Sequence, residues 1–98
     1  MKIVWSPLAV DRISEIVAWI SRDRPVAAAQ LAQALFAAVG KLASFPEAGR
    51  QLPEIDQPDI RELIHKRYRI IYRVKADSIE VLTVRHSRQD LDGEDLGG

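Results

Sequence analysis

The chain has 98 residues, which is enough for one compact domain and too few for two. Hydrophobic residues make up 47% of it and charged residues 29%, a balance typical of a globular domain with a solvated surface. It contains no cysteine, which excludes disulfides, a thiolate nucleophile and cysteine-ligated zinc.

The formal net charge is zero, but the charges are distributed unevenly along the chain. Residues 61–89 contain eight Lys/Arg and three Asp/Glu, whereas residues 90–98 contain four acidic residues and no basic ones. The sequence therefore predicts a basic region followed by an acidic tail. The basic region is either a set of solvated strand faces or a surface for nucleic acid or an acidic partner.

The first half of the chain predicts a short strand followed by two helices. Residues 2–5 favour a strand, and the Ser6-Pro7 pair provides a cap and a first helical residue. Apolar residues then recur at helical spacing to a predicted end near Ser21. Pro25 opens a second, alanine-rich helix that ends before Pro46. The short connection between the two predicts an antiparallel helix hairpin.

The second half predicts an ordered surface loop over residues 46–58, followed by three strands. The strands are Ile60–His65, Tyr68–Val74 and Ile79–Arg85, joined by connections short enough for antiparallel hairpins. The order β-α-α-β-β-β indicates an α+β fold, with the helix hairpin packed on one face of a small, mainly antiparallel sheet.

We expect residues 1–89 to form the single domain and residues 90–98 to form an acidic tail that is flexible or ordered by a partner. The helix hairpin covers only one face of the predicted sheet. Apolar side chains at Ile71, Leu82 and Val84 lie on or near the other face, depending on register. Burial of these side chains by a partner would be favourable.

Five short strings in the sequence occur in a particular order along nearly the whole chain. They are Trp5-Ser6-Pro7-x-Ala9, Phe45-Pro46-x-x-Gly49-Arg50, Arg61-Glu62-Leu63, Tyr68-Arg69-Ile70-Ile71-Tyr72-Arg73-Val74 and Val84-x-His86-x-Arg88-Gln89-Asp90. Together with the predicted element order, they resemble the RelE/ParE superfamily of type II toxins.

This resemblance implies a toxin that arrests growth when free and is neutralised by a cognate antitoxin, ParD-like or of another class, in a hetero-oligomer. Operator DNA would be contacted only through the antitoxin. The superfamily has two functional branches: RelE-like members cleave messenger RNA on the ribosome, and ParE-like members poison DNA gyrase.

The residues favour the ParE-like branch. Metal-independent RNA cleavage needs a base, cations at the phosphate and an acid. Here Arg61, Arg69 and His86 would have to supply them, because no tyrosine or histidine follows Arg88 and no lysine pair lies in residues 60–65. We therefore predict a gyrase inhibitor that is not an enzyme. The alternatives are a ribosome-dependent messenger RNA endonuclease and a degenerate, non-toxic module that only binds antitoxin.

Candidate target-facing residues are Arg69, Arg85, His86 and Arg88, although Arg69 is equally suited to pair across strands with a carboxylate such as Glu62.

Candidate antitoxin-binding residues are apolar positions on the predicted helices and strands. They are Ile16, Leu31, Leu35, Ile71, Leu82 and Val84. The sequence predicts no metal site and no cofactor. We expect a cytoplasmic protein with no membrane span, because the longest apolar stretch, residues 27–39, is too short.

Overall fold

The predicted element order is confirmed by the computed structural model, which describes residues 1–89 and 91–97. Asp90 of the last motif and Gly98 at the chain's end lie outside the described residues. The elements are β1 (Lys2–Trp5), α1 (Pro7–Ser21), α2 (Pro25–Gly40), a 3-10 helix (Lys41–Ala43), β2 (Arg50–Gln51), β3 (Ile60–His65), β4 (Tyr68–Val74) and β5 (Ser78–His86). The two-residue strand β2 is an addition, since the sequence predicted only loop there.

Helix α1 begins at the predicted cap, and this cap also ties the helix to the sheet. The Ser6 hydroxyl accepts a hydrogen bond from the backbone N–H of Ala9 at 3.0 Å. The same hydroxyl donates to the carbonyl of Leu82 in β5 at 2.7 Å. One serine therefore fixes both where α1 starts and where it lies on the sheet.

The five strands form one mixed sheet in the order β1-β5-β4-β3-β2. β3, β4 and β5 form an antiparallel meander, and β2 adds to the edge of β3. β1 pairs parallel with β5, so the first and last strands are neighbours. The fold is the predicted α+β arrangement, with its helix hairpin on one face of the sheet.

A β-bulge in β5 changes the predicted faces of that strand. Ile71 pairs with Thr83 and Tyr72 pairs with Val81, which leaves Leu82 unopposed. The inserted residue shifts the alternation, so Val84 lies on the helix-facing side with Val81. The expectation that Val84 shares the open face with Leu82 is therefore wrong.

The helix-facing core joins both helices to the central strands. It contains Ala9 and Ile13 of α1, Leu35 and Val39 of α2, and Ile70, Val81 and Val84 of the sheet. Leu35 and Val84, both predicted to bind antitoxin, are fully buried here in the isolated chain.

The opposite face of the sheet is covered by the chain itself. Ile71 and Leu82 are buried there beneath Leu52 and Ile60, with Ile55, Leu91 and Leu96 packed around them. The sequence indicated an open face, but the loop before β3 and the segment after β5 both fold over it. Apolar burial of this kind stabilises the fold by roughly 25 cal/mol per Å².

Residues 91–97 are therefore packed against the sheet in the absence of any partner. Two leucines, Leu91 and Leu96, contact the apolar face, and the side chain of Asp95 is fully buried between them. The sequence indicated a flexible or partner-ordered tail because four acidic residues in nine are usually solvated. In the structure this segment is packed on the domain because basic side chains of the domain form ion pairs with its acidic side chains.

One helical segment, Pro25–Ala43, has the length and hydropathy of a membrane span, with a mean hydropathy of 1.4 over its most apolar window. Core helices of globular proteins meet the same criterion. Leu35, Val39 and Leu42 of this segment are buried in the domain, whereas Val26 and Phe36 are exposed. Its hydropathy reflects a helix that packs on a sheet and is rich in alanine.

Candidate functional site

A groove lies between the second half of α1 and the ends of β4 and β5, and we call it the α1–β5 groove. Its volume is about 270 Å³. An apolar floor and a charged rim are formed by Arg12, Glu15, Ile16, Trp19, Ile20, Tyr68, Val84, Arg85, His86 and Gln89. This combination of apolar surface and convergent polar groups is typical of a binding site.

Trp19 is the most exposed large apolar side chain on the rim of this groove. It is 71% exposed, and the guanidinium of Arg22 lies 5.3 Å from its ring centre. Tryptophan on an amphipathic helix is usually a packing residue. An exposed tryptophan beside an apolar groove is instead typical of a protein–protein anchor.

The pairing of β4 with β5 places Tyr68 opposite His86 at the other wall of the groove. Their rings meet edge to face, with centres 5.7 Å apart and planes at 77°. The Nδ1 of His86 accepts a hydrogen bond from the backbone N–H of Arg88 at 3.2 Å. His86 is therefore held in one orientation at the end of β5, half-buried, and it lines both this groove and a second, polar pocket beside it.

Arg85 joins the groove to the folded tail. Its Nε donates to both carboxylate oxygens of Asp95, at 3.0 and 2.9 Å, and Thr83 donates to the same carboxylate at 2.9 Å. Arg12 of α1 lies 3.7 Å from it. Burial raises the pKa of Asp95, but hydrogen bonds from the backbone of Asp92, from Thr83 and from Arg85 outweigh that effect and lower it below 3.8.

Arg69 is buried under the loop and is fully engaged with carboxylates. Its Nε donates to Glu62 at 2.7 Å, and its Nη2 donates to both oxygens of Glu54 at 2.9 and 3.0 Å. Burial lowers the pKa of Arg69, yet the bonds to Glu54 and Glu62 raise it overall. Of the two roles considered for Arg69, the structure contains the cross-strand pair with Glu62, and the guanidinium faces inward.

The residues that an RNA-cleaving site would need are not brought together. Arg61 donates to the carbonyl of Gly49 at 2.7 Å and pairs with Tyr72, whereas His86 pairs with Tyr68. Four strand residues separate those two register positions, which is about 13 Å along the sheet. Arg69 lies between them but is buried.

Of the four predicted target-facing residues, two remain accessible. Arg88 is exposed and His86 is half-buried, whereas Arg69 and Arg85 are occupied by carboxylates. Arg67 was missed by the sequence reading although it lies beside these two. The antiparallel meander places the β3–β4 turn next to the end of β5, and that is the signal by which Arg67 could have been found.

Of the six predicted antitoxin-binding residues, Ile16 lines the α1–β5 groove, and the almost fully buried Val84 lies at the floor of the same groove. Leu31 lines a neighbouring depression between the helix hairpin and Arg67. Four of the six are buried: Leu35 and Val84 in the helix-facing core, and Ile71 and Leu82 beneath the loop and the segment 91–97.

The fold is a small α+β domain with a helix hairpin on one face of a mixed sheet, and it is shared with a chain of a solved toxin–antitoxin structure. A chain of the solved structure described as "Chromosomal ParDE TA system from P. aeruginosa" superposes with a TM-score of 0.73. The match covers 88% of this chain and 95% of that one at 22% sequence identity, which shows a shared fold.

Sequence comparison narrows the class to one family. The family described as "ParE toxin of type II toxin-antitoxin system, parDE" matches residues 3–91. A Sinorhizobium fredii protein named "Putative toxin Y4kP" is 38% identical over 88 residues, 90% of each chain. The chain belongs to the ParE toxin family, as the motifs indicated.

Proposed function

We propose that this chain is a growth-arresting toxin that acts in the cytoplasm by inhibiting DNA gyrase without catalysing a reaction of its own. Its ParE family membership gives the class of protein. One observation supports gyrase inhibition, the ParE-like activity, over the RNA cleavage of RelE-like toxins. Arg61, Arg69 and His86 do not converge, because Arg69 is buried in an ion-pair network and the other two lie far apart on the sheet.

We also propose that a cognate antitoxin neutralises the toxin by binding along the α1–β5 groove in a hetero-oligomer. The groove is apolar at its floor and carries the exposed Trp19 at its rim. An amphipathic antitoxin helix could place apolar side chains against Ile16 and Trp19 and a carboxylate near Arg12. Operator DNA would then be contacted through the antitoxin.

The test is a supercoiling reaction with purified gyrase, relaxed plasmid and the full chain, with and without ATP. We expect loss of supercoiling and accumulation of cleaved plasmid that antitoxin reverses. The matched control is topoisomerase I, whose relaxation activity should not change. Unaffected gyrase reactions, together with growth arrest in cells, would contradict the proposal.

The alternative, a messenger RNA endonuclease, predicts a different outcome when expression of this chain is induced in bacterial cells. Mapping the 5′ ends of messages would then show cuts in phase with codons, and translation would stop before the chromosome is damaged. A non-toxic antitoxin-binding module would express in soluble form without any growth defect and would still bind antitoxin. Filamentous cells with damaged nucleoids and continuing translation support the gyrase proposal.

A further inference from the structure

A small polar pocket lies where the β3–β4 turn meets the turn after β5, and we call it the turn pocket. Its volume is about 230 Å³, and it is lined by Arg67, His86, Ser87 and Arg88. These four side chains offer two guanidinium groups, an imidazole and a hydroxyl. Neither the family match nor the superposition assigns a role to this pocket.

The walls of the turn pocket are fixed by backbone hydrogen bonds. The N–H of Ser87 donates to the carbonyl of Arg67 at 2.6 Å, which joins the two turns. The N–H of Gln89 donates to the carbonyl of His86 at 2.9 Å, and the Gln89 side chain accepts from the His86 N–H at 3.2 Å. The pocket is therefore formed before any ligand arrives, which lowers the entropic cost of binding.

The hydrogen bond from Arg88 also determines what His86 can offer. Because Nδ1 accepts the Arg88 N–H, a neutral imidazole carries its proton on Nε2 and can donate from there. The edge contact with Tyr68 holds the ring in place. Every side chain that lines the turn pocket can thus act as a hydrogen-bond donor, and none is a carboxylate.

The charges around the pocket extend the same pattern. The depression that adjoins the pocket at Arg67 is lined by Arg24 and by the acidic Asp23. A further depression beyond it is lined by Arg24 and Lys66. Within residues 1–89 and 91–97, no carboxylate lies within 4.0 Å of a basic nitrogen of Arg24, Lys66, Arg67 or Arg88. Six described carboxylates form ion pairs with other basic residues, those of Glu54, Asp59, Glu62, Glu80, Asp92 and Asp95, and none of them lines the turn pocket. The lining of the turn pocket therefore carries positive charge.

We propose that the turn pocket binds a phosphodiester group of a nucleic-acid backbone. Two guanidiniums, an imidazole N–H and a hydroxyl suit the several acceptor oxygens of a phosphate. Arg24 and Lys66 extend the cationic surface past the pocket, where a polymeric ligand would place its next phosphates. The inference goes beyond gyrase inhibition, because the pocket would bind a backbone phosphate whatever the cellular target is.

The test is binding of the full chain to a fluorescent DNA duplex across a range of salt concentrations, with Arg67→Gln/Arg88→Gln as the variant. We expect this variant to bind at least about tenfold more weakly at low salt. For this variant, the slope of log affinity against log salt concentration should become shallower by about one unit for each lost phosphate contact. Both arginines are exposed, so the variant should fold like the parent.

Lys2→Gln/Lys41→Gln is the matched control, because it also removes two positive charges from exposed side chains, one beside the start of β5 and one at the end of α2 far from Arg24. We expect it to bind the duplex like the parent. An equal loss in the control would overturn the proposal, since net charge alone would then account for binding. Parent-like binding by the arginine variant would overturn it as well.

Amide chemical shifts identify the site directly. Titration with the duplex should shift resonances of residues 66–68 and 86–88, and inorganic phosphate should shift a subset of them at higher concentration. A response to inorganic phosphate without one to the duplex would overturn the nucleic-acid source. An equal response to polyglutamate would overturn the preference for phosphate, since the pocket would then bind any anion.

Discussion

Arg85 and Asp95 form a bifurcated hydrogen bond in which one arginine nitrogen donates to both carboxylate oxygens, at 3.0 and 2.9 Å. This pair fastens the segment after β5 to the strand it leaves. The carboxylate has no exposure to solvent, although the segment around it is acidic and was expected to be solvated. The domain therefore includes part of what the sequence marked as a tail.

The contact between Arg85 and Asp95 should contribute to the stability of the fold. Asp95→Asn should destabilise the protein by about 2 kcal/mol, because charge-assisted hydrogen bonds are replaced by weaker ones. The amides of residues 91–97 should exchange faster as the segment detaches. Thermal unfolding and hydrogen exchange measure the two effects, and unchanged exchange in that segment would contradict the prediction.

The same carboxylate predicts a pH dependence. Its pKa is lowered in the folded state, so its contribution to stability is present above the unfolded pKa and is lost as pH falls through the lower folded value. The stability difference between the parent and Asp95→Asn should hold near neutral pH and shrink below about pH 4. Denaturant unfolding of both proteins at a series of pH values measures it. A difference that stays constant down to pH 2 would show that the charge contributes nothing.

The second pair of residues under strong constraint is Gly49 and Tyr72. The Gly49 N–H donates to the Tyr72 hydroxyl at 2.9 Å, and that hydroxyl donates to the carbonyl of Pro46 at 2.9 Å. A Cβ on Gly49 would lie 2.6 Å from the hydroxyl and 2.5 Å from the carbonyl oxygen of Glu62. We expect Gly49→Ala to destabilise the fold by about 1–3 kcal/mol, measured by denaturant unfolding.

Gly40→Ala is the control for this substitution. A Cβ at Gly40, the last residue of α2, meets nothing within 4 Å. Alanine also favours helix, so this variant should be as stable as the parent or more stable by up to about 1 kcal/mol. Equal losses in both variants would mean that the close approach to Tyr72 is not what constrains Gly49.

The buried carboxylate of Glu62 is predicted to matter for stability. It accepts hydrogen bonds from Arg50 at 2.6 Å and from Arg69 at 2.7 Å. Glu62→Gln leaves the buried Arg69 with only part of its charge compensation and should destabilise the fold by about 3–5 kcal/mol. Arg50→Gln, which alters an exposed side chain of the same network, should cost under about 1 kcal/mol. Similar losses in denaturant unfolding would refute this ranking.

The proposed antitoxin site predicts the effect of Trp19→Ala. Removing an exposed aromatic anchor should weaken antitoxin binding by about thirtyfold while the toxin keeps its stability. Phe45→Ala is the control, because Phe45 is 66% exposed but lies in the turn after the 3-10 helix, away from the α1–β5 groove. Calorimetric titration with antitoxin compares them, and equal affinity of parent and Trp19→Ala would exclude the groove as the main contact.

Local sequence patterns predicted most of the fold. Ser6-Pro7 marked the start of α1, Pro25 marked the start of α2, and alternation located β3 and β4 at their observed bounds. These signals are local because capping and strand alternation involve residues close together in the chain. The family motifs were confirmed by the match over residues 3–91.

The sequence-based predictions that were wrong concern contacts between residues that lie far apart in the chain. Nothing in the run Val81-Leu82-Thr83-Val84 marks a bulge, since each residue suits a strand on either face. The pairing of Arg69 with Glu54 and of Arg85 with Asp95 also has no local signal, so both arginines were considered for target contact. The hydrogen bond from Arg85 to Asp95 holds the acidic segment on the domain. Leu91 and Leu96 of that segment then cover the sheet face that the sequence predicted to need a partner.

The parallel pairing of β1 with β5 has a consequence for how the protein is made. Residues 2–5 are synthesised more than 70 residues before their sheet partner, residues 78–81. A nascent chain thus cannot complete its sheet until most of it has been translated, a delay of several seconds at about 5–20 residues per second. Products of premature termination before residue 78 would lack β5, the strand that joins β1 to the rest of the sheet, so the folded toxin cannot form until residues 78–86 have been translated.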